Sequence, residues 1–174
     1  MKEIIDRQNA ALELLCKRLN ENMLPAKIED GEIKNLTILF SDLIEEDDVF
    51  SDVYFLPQKE EMNQLSFCVV QFEIPGIEGI EEENALDLCV GAAMSSANLL
   101  LGGYAVETED GNLPVKQLVL RATLPLLNSM SPETLAAEIR SALSVMATDL
   151  TDSAPKLLAL AKGQMTTDEF VGLL

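Results

Sequence analysis

Residues 81–125 read EEENALDLCVGAAMSSANLLLGGYAVETEDGNLPVKQLVLRATLP, and they predict one helix followed by two strands. Within 84–101, Leu86, Val90, Ala93, Ala97 and Leu100 recur at steps of four, three, four and three, which is one side of a 3.6-residue helix. That side is expected to be buried. The opposite side, Asn84, Asp87, Gly91, Ser95 and Asn98, is narrow and mostly small, so the helix is apolar around more than half its circumference and is expected to pack on two sides, one of them against a sheet. Gly102-Gly103 supplies the positive φ that ends a helix. Residues 104–125 then carry two β-type runs around the turn Glu109-Asp110-Gly111-Asn112.

Working outward from this stretch, residues 2–22 form an amphipathic pattern with Ile4, Ile5, Ala11, Leu12, Leu15 and Leu19 on one face. Glu3 and Asp6 near its start and Lys17 and Arg18 in its later turns suit the helix dipole, and Pro25 marks its end. After Asp30-Gly31, residues 35–40 are rich in β-branched and apolar side chains and predict a first strand. Residues 53–57 predict a short second strand, and 58–64 a polar connection. The longest strand is expected over 65–74, with Cys68, Val70, Phe72 and Ile74 on one face and Phe67, Val69, Gln71 and Glu73 on the other. That second face is apolar at one end and polar at the other, a half-covered surface that could take a partner.

Beyond the opening stretch, 104–108 and 116–125 predict a hairpin shortened by Pro114. Leu118, Leu120, Ala122 and Leu124 line its core face; Val119, Arg121 and Thr123 line a wet one. Ser131-Pro132-Glu133 starts a helix with Ser131 as N-cap. Its pattern of Leu135, Ile139, Ala142, Leu143, Met146 and Leu150 continues to about Asp152, where Pro155 is expected to kink or break it. A second apolar pattern runs over 156–162, Gly163 ends it, and Thr166 with Glu169 makes a capping box for a last short helix. So short a helix is expected to dock on the core or insert into another protomer, with intramolecular docking favoured. The expected organisation is a single α+β domain over 1–162 and a C-terminal helical extension over 163–174.

Composition narrows the function. Apolar residues make up 48% of the 174 and charged residues 24%, as in a globular domain with a real core. The net charge of −18 opposes nucleic-acid binding, which rests on Lys and Arg displacing phosphate counterions, and opposes anionic membranes equally. Residues 1–87 hold 21 acidic against 7 basic side chains, and 88–174 hold 9 against 5. An acidic excess favours solubility first and a basic partner second. Six carboxylates between Asp42 and Asp52 invite a calcium reading. They lack the alternating ligands, central Gly and distal Glu of a calcium loop, so a solvated acidic loop is expected.

No catalytic, cofactor or metal residues stand out. The chain has no His, no Gly-rich phosphate loop and no Gly-x-Ser-x-Gly elbow, which removes the commonest general base and nucleophile arrangements. Cys16, Cys68 and Cys89 are widely spaced in apolar runs and read as inert core thiols. The start, Met1 to Asp6, is polar and has no apolar leader core, and the apolar runs fall short of the roughly 18 residues of a membrane span, so a cytoplasmic location is expected.

The order helix, three strands, helix, two strands, helix resembles that of the YbjN-like family, bacterial sensory-transduction regulators with a fold like that of type III secretion chaperones. The likeness rests on a strand ending at Pro75, the long helix over 84–101, Gly103-Tyr104, the Glu109-Asp110-Gly111 turn, Thr123-Leu124-Pro125 and Ser131-Pro132-Glu133. The acidic segment after the first strand and the chain past Pro155 depart from the pattern. The resemblance implies a non-enzymatic regulator or chaperone-like adaptor that acts through protein contacts, often as a homodimer packed through the central helix. Leu86, Val90, Ala93, Ala97 and Leu100 are the candidate dimer or partner helix face. Phe67, Val69, Gln71, Val119 and Arg121 are the candidate partner face of the sheet. An obligate subunit of a larger assembly is the alternative, and an enzyme using carboxylates or Cys the more remote one.

Overall fold

A computed structural model of the chain describes residues 1–58, 64–77, 80–109 and 112–174. The Asp110-Gly111 centre of the expected turn and most of the expected 58–64 connection therefore lie outside the described residues. The fold is α+β. In chain order come α1 (Lys2–Glu21), β1 (Ala26–Glu29), β2 (Asn35–Ile44), β3 (Asp47–Phe55), β4 (Leu65–Ile74), α2 (Glu82–Ser96), β5 (Gly103–Glu109), β6 (Asn112–Leu127), α3 (Pro132–Ala161) and α4 (Thr167–Val171). The strands form one six-stranded antiparallel sheet in the order β1-β2-β3-β4-β6-β5.

By its contacts the chain divides into two compact units, Met1–Phe40, Phe50–Gln71 and Ala122–Ser144 in the first, and Ser41–Val49, Phe72–Arg121 and Val145–Leu174 in the second. In the first unit α1 buries Ala11, Leu12, Leu15 and Leu19. Strand positions of alternate parity, Leu36 and Ile38, Val53 and Phe55, Cys68 and Val70, Leu124 and Leu126, are buried as a period of two requires. The short β1 has no periodic signal of its own. It is held by Asn20, whose side-chain amide donates to the Ala26 carbonyl at 2.8 Å and accepts from the Ala26 N–H at 3.1 Å. That clamp sets the register Ala26↔Ile38 with β2. Gln8 Nε2 donates to Ser66 Oγ at 2.7 Å, Ser66 bonds Asn128, and Arg7 donates to the Asn128 carbonyl at 2.7 Å, so the one polar residue on the buried side of α1 is satisfied.

Three expectations about element boundaries need correction. The acidic segment over 42–52 is a tight β2–β3 hairpin instead of a loop: both strands run into it, and only Glu45-Glu46 turn. Asp42 and Glu45 take positive φ of 54° and 55°, which the short Asp side chain tolerates, and the Asp48 carboxylate accepts from the Asp42 N–H at 3.3 Å. Pro155 does not end α3, which runs 30 residues from Pro132 to Ala161. An interior proline costs a helix about 3 kcal/mol. Burial of Leu157, Leu158, Leu160 and Ala161 beyond it outweighs that loss. Finally, α2 stops at Ser96, short of Leu101.

The expected caps are present where their side chains can reach. Ser131 Oγ accepts from the Thr134 N–H at 3.3 Å, and Thr166 with Glu169 makes a reciprocal capping box. Near the β5–β6 turn the pairing slips at Glu107/Thr108 and again at Thr108/Glu109, an irregularity in the stretch that contains Pro114.

Candidate functional site

The geometry of α2 belongs wholly to the second unit. Its buried residues are Ala85, Leu88, Gly91, Ala92 and Ser95. Gly91 explains this choice of side. A Cβ there would stand 2.4 Å from Leu160 Cδ1, 3.2 Å from Leu157 Cδ2 and 3.6 Å from the Phe170 ring, so the side chains of α3 and Phe170 pack directly on the α2 backbone, and a larger residue would force Leu160 to shift. Phe170 is fully buried. Thr167 Oγ1 donates to the Asp87 carboxylate at 2.7 Å and fastens α4 to α2. At the other end, Ser96 Oγ donates to the Ala92 carbonyl at 2.7 Å and accepts from the Tyr104 N–H at 2.8 Å, tying α2 to β5. Gly102, at φ 82°, makes the reversal between them.

This arrangement overturns the expectation that Leu86, Val90, Ala93, Ala97 and Leu100 form the buried side. All five are exposed. Leu86 retains 68% of its surface, Val90 39% and Leu100 83%. Ala97 is the C-cap of α2, and Leu100 lies in the bend after it. Cys89, expected in the core, is exposed on this same side, while Cys68 is buried and Cys16 half-buried. Leu86, Val90, Ala93 and Ala97 therefore share an outward apolar face of the helix, and Leu100 is exposed beyond its end. At its N-terminal end an open depression of about 710 Å³ is lined by Glu81, Glu82, Glu83, Ala85, Leu86 and Cys89.

The candidate sheet residues are distributed differently. In the first unit Phe67 is half-buried, whereas Val69 and Gln71 are buried. Beside them on the outward side of β2 and β3, Asp52 accepts from Asn35 and Thr37, each at 2.7 Å, and Phe50 is exposed. In the second unit Val119 is fully buried, and Arg121 is exposed with its guanidinium 3.2 Å from Glu107. Only Phe67 and Arg121 of the five offer substantial surface. Val119, expected on the wet side, is not available there.

A second concave feature lies in the first unit, a half-open cavity of about 460 Å³ between the start of α1, the 30–34 segment and the end of β3. Lys34 points its ammonium at Glu13, 2.6 Å away, and at Asp30, 3.5 Å away. The hydrogen bond to Glu13 holds the Lys34 pKa above its ordinary value despite partial burial. Its charge is thereby already matched by carboxylates of the chain. Among the described residues no group of three thiols or carboxylates is placed to hold a metal ion, and no helix is long and apolar enough to cross a membrane. No protein-family model matches the chain, and no curated protein matches it.

Proposed function

We propose that this chain is a non-enzymatic protein-binding module, a small acidic regulator or chaperone-like adaptor of the bacterial cytoplasm, and that it binds through the outward face of α2. The observation that carries this reading is the exposure of Leu86, Val90, Ala93, Ala97 and Leu100 together. A large apolar side chain gains roughly 1.5–3 kcal/mol on full burial. Leaving Leu86 and Val90 outward on the helix, with Leu100 exposed just past its end, forgoes that gain within the chain and reserves it for a partner. The resemblance to YbjN-like proteins, made on the helix over 84–101 and the elements that follow it, supports the same face.

The reading is tested by sedimentation and hydrophobic-dye fluorescence over a concentration series, with the wild type compared to an Ala93→Glu, Ala97→Glu double variant. Both positions are exposed, so the variant is expected to keep the wild-type far-UV circular dichroism. The wild type is expected to bind dye or self-associate, and the variant to do neither. A wild type that is monomeric and dye-negative overturns the proposal. Aggregation of the isolated wild type would instead mark an obligate subunit.

A further inference from the structure

We infer that the occupant of the α2 face is a basic amphipathic helix from a different protein, lying antiparallel to α2 with its Lys or Arg residues in its C-terminal turn. This inference rests on the binding reading above and adds the chemistry of the partner. Its first support is the distribution of charge. The second unit holds 18 acidic and 4 basic side chains, a net of −14 out of −18. Between Lys59 and Lys116 the chain has no cation at all. Of the unit's four cations, Arg121 is committed to Glu107 and Lys156 to Asp152. Lys116 and Lys162 are exposed, and Lys162 precedes Gly163, which lies against Asn84; on α2 itself every charged side chain is a carboxylate, Glu82, Glu83 and Asp87, and Glu81, Glu82 and Glu83 are exposed beside Leu86 and the depression.

A second copy of the chain meets this surface badly. A parallel pair of α2 helices would set one acidic triplet against the other. An antiparallel pair would set each triplet against the negative end of the other helix's dipole, and the last turn of α2 carries no basic side chain to relieve it. Either symmetric arrangement also brings two units of net −14 together. A basic helix removes both objections. Running antiparallel, it lays its C-terminal turn beside Glu81, Glu82 and Glu83, and Lys or Arg in that turn is favoured by its own dipole as well. Its apolar residues at i, i+3, i+4 and i+7 would cover Leu86, Val90, Ala93 and Ala97. The 15 residues of α2 make a rod of about 22 Å, so the occupant needs a similar length.

The experiment uses the full chain and four fluorescein-labelled peptides of about 15 residues, read by anisotropy. One has leucines at helical spacing and lysines in its last turn; the second has the lysines in its first turn; the third has the leucines scrambled; the fourth has Glu in place of Lys. The first is expected to bind tightest, with affinity falling as salt rises. Replacing Leu86→Ser with Val90→Ser is expected to weaken it about tenfold or more, and Glu81→Gln, Glu82→Gln, Glu83→Gln to weaken it and flatten the salt dependence.

Equal binding of the scrambled peptide, or indifference to the serine changes, shows unspecific charge attraction and overturns the inference. Equal binding of the acidic or the reversed peptide overturns the partner's chemistry or its direction while the binding-module reading stands. If no peptide binds and the protein sediments as a dimer that the serine changes split, the occupant is a second copy and this inference alone fails. If no peptide binds and the protein is monomeric and dye-negative, both readings fall.

Discussion

Cys68 and Cys89 stand in opposite surroundings and should react accordingly. Burial pushes the Cys68 thiol up and closes access to it, whereas Cys89 lies exposed on α2. Under native conditions an aromatic disulfide reagent is expected to modify Cys89 rapidly and Cys68 only after unfolding, as mass spectrometry of the labelled peptides would show. Fast labelling of Cys68 would contradict the core described for β4. Tyr104 supplies a pH signature. Burial raises its phenol to about 12, against the smaller opposing effect of its hydrogen bond with Ser153. Because the folded state holds the proton more tightly than the unfolded chain, this contribution is fully present below pH ~10 and is lost as the pH climbs toward ~12. The loss is on the order of 2–3 kcal/mol. Urea midpoints should drop across that window in the wild type and drop less in Tyr104→Phe; parallel curves would place the titrating group elsewhere.

At the scale of elements, α4 has five residues and no stability of its own, so its place depends on Phe170 and on Gly91 beneath the ring. Phe170→Ala is expected to cost roughly 3–5 kcal/mol and to free the C-terminal segment. Trypsin should then cut after Lys162 in the folded variant and not in the wild type, and equal resistance in both would show that other contacts hold α4. The capping box and the start of α3 were legible because caps are local: Ser131 and Thr166 bond backbone N–H groups three residues away. Continuation of α3 through Pro155 was not legible, since the leucines that outweigh the proline do so by being buried, which depends on the rest of the chain. The hairpin at 45–46 was hidden for a related reason. Its acidic residues signal solvent, and a hairpin tip is solvated whether or not its backbone is paired.

At the scale of the whole molecule, the acidic excess is a net −18. A net −18 is self-repelling, and raising salt from about 10 mM to 150 mM shortens the screening length from ~30 Å to ~8 Å. The urea midpoint should rise over that range, and a flat or falling midpoint would show the carboxylates to be too far apart to matter. The α+β class, the order of the principal elements and the caps follow from the amino-acid order alone, because they rest on periods of 2 and 3.6 and on bonds a few residues long. That order also determined that α2 has more apolar surface than one contact needs. Which side of α2 is buried was decided only in the tertiary structure. The larger residues on the Leu86 side made it look like the core, but Leu157, Leu160 and Phe170 pack closely on the backbone at Gly91, which is on the other side. Cys89, on the Leu86 side of α2, is exposed with it, and Val119 on β6 is buried against expectation. Periodicity shows that a helix has a face; only the packing of distant segments selects which face they cover and which is left exposed.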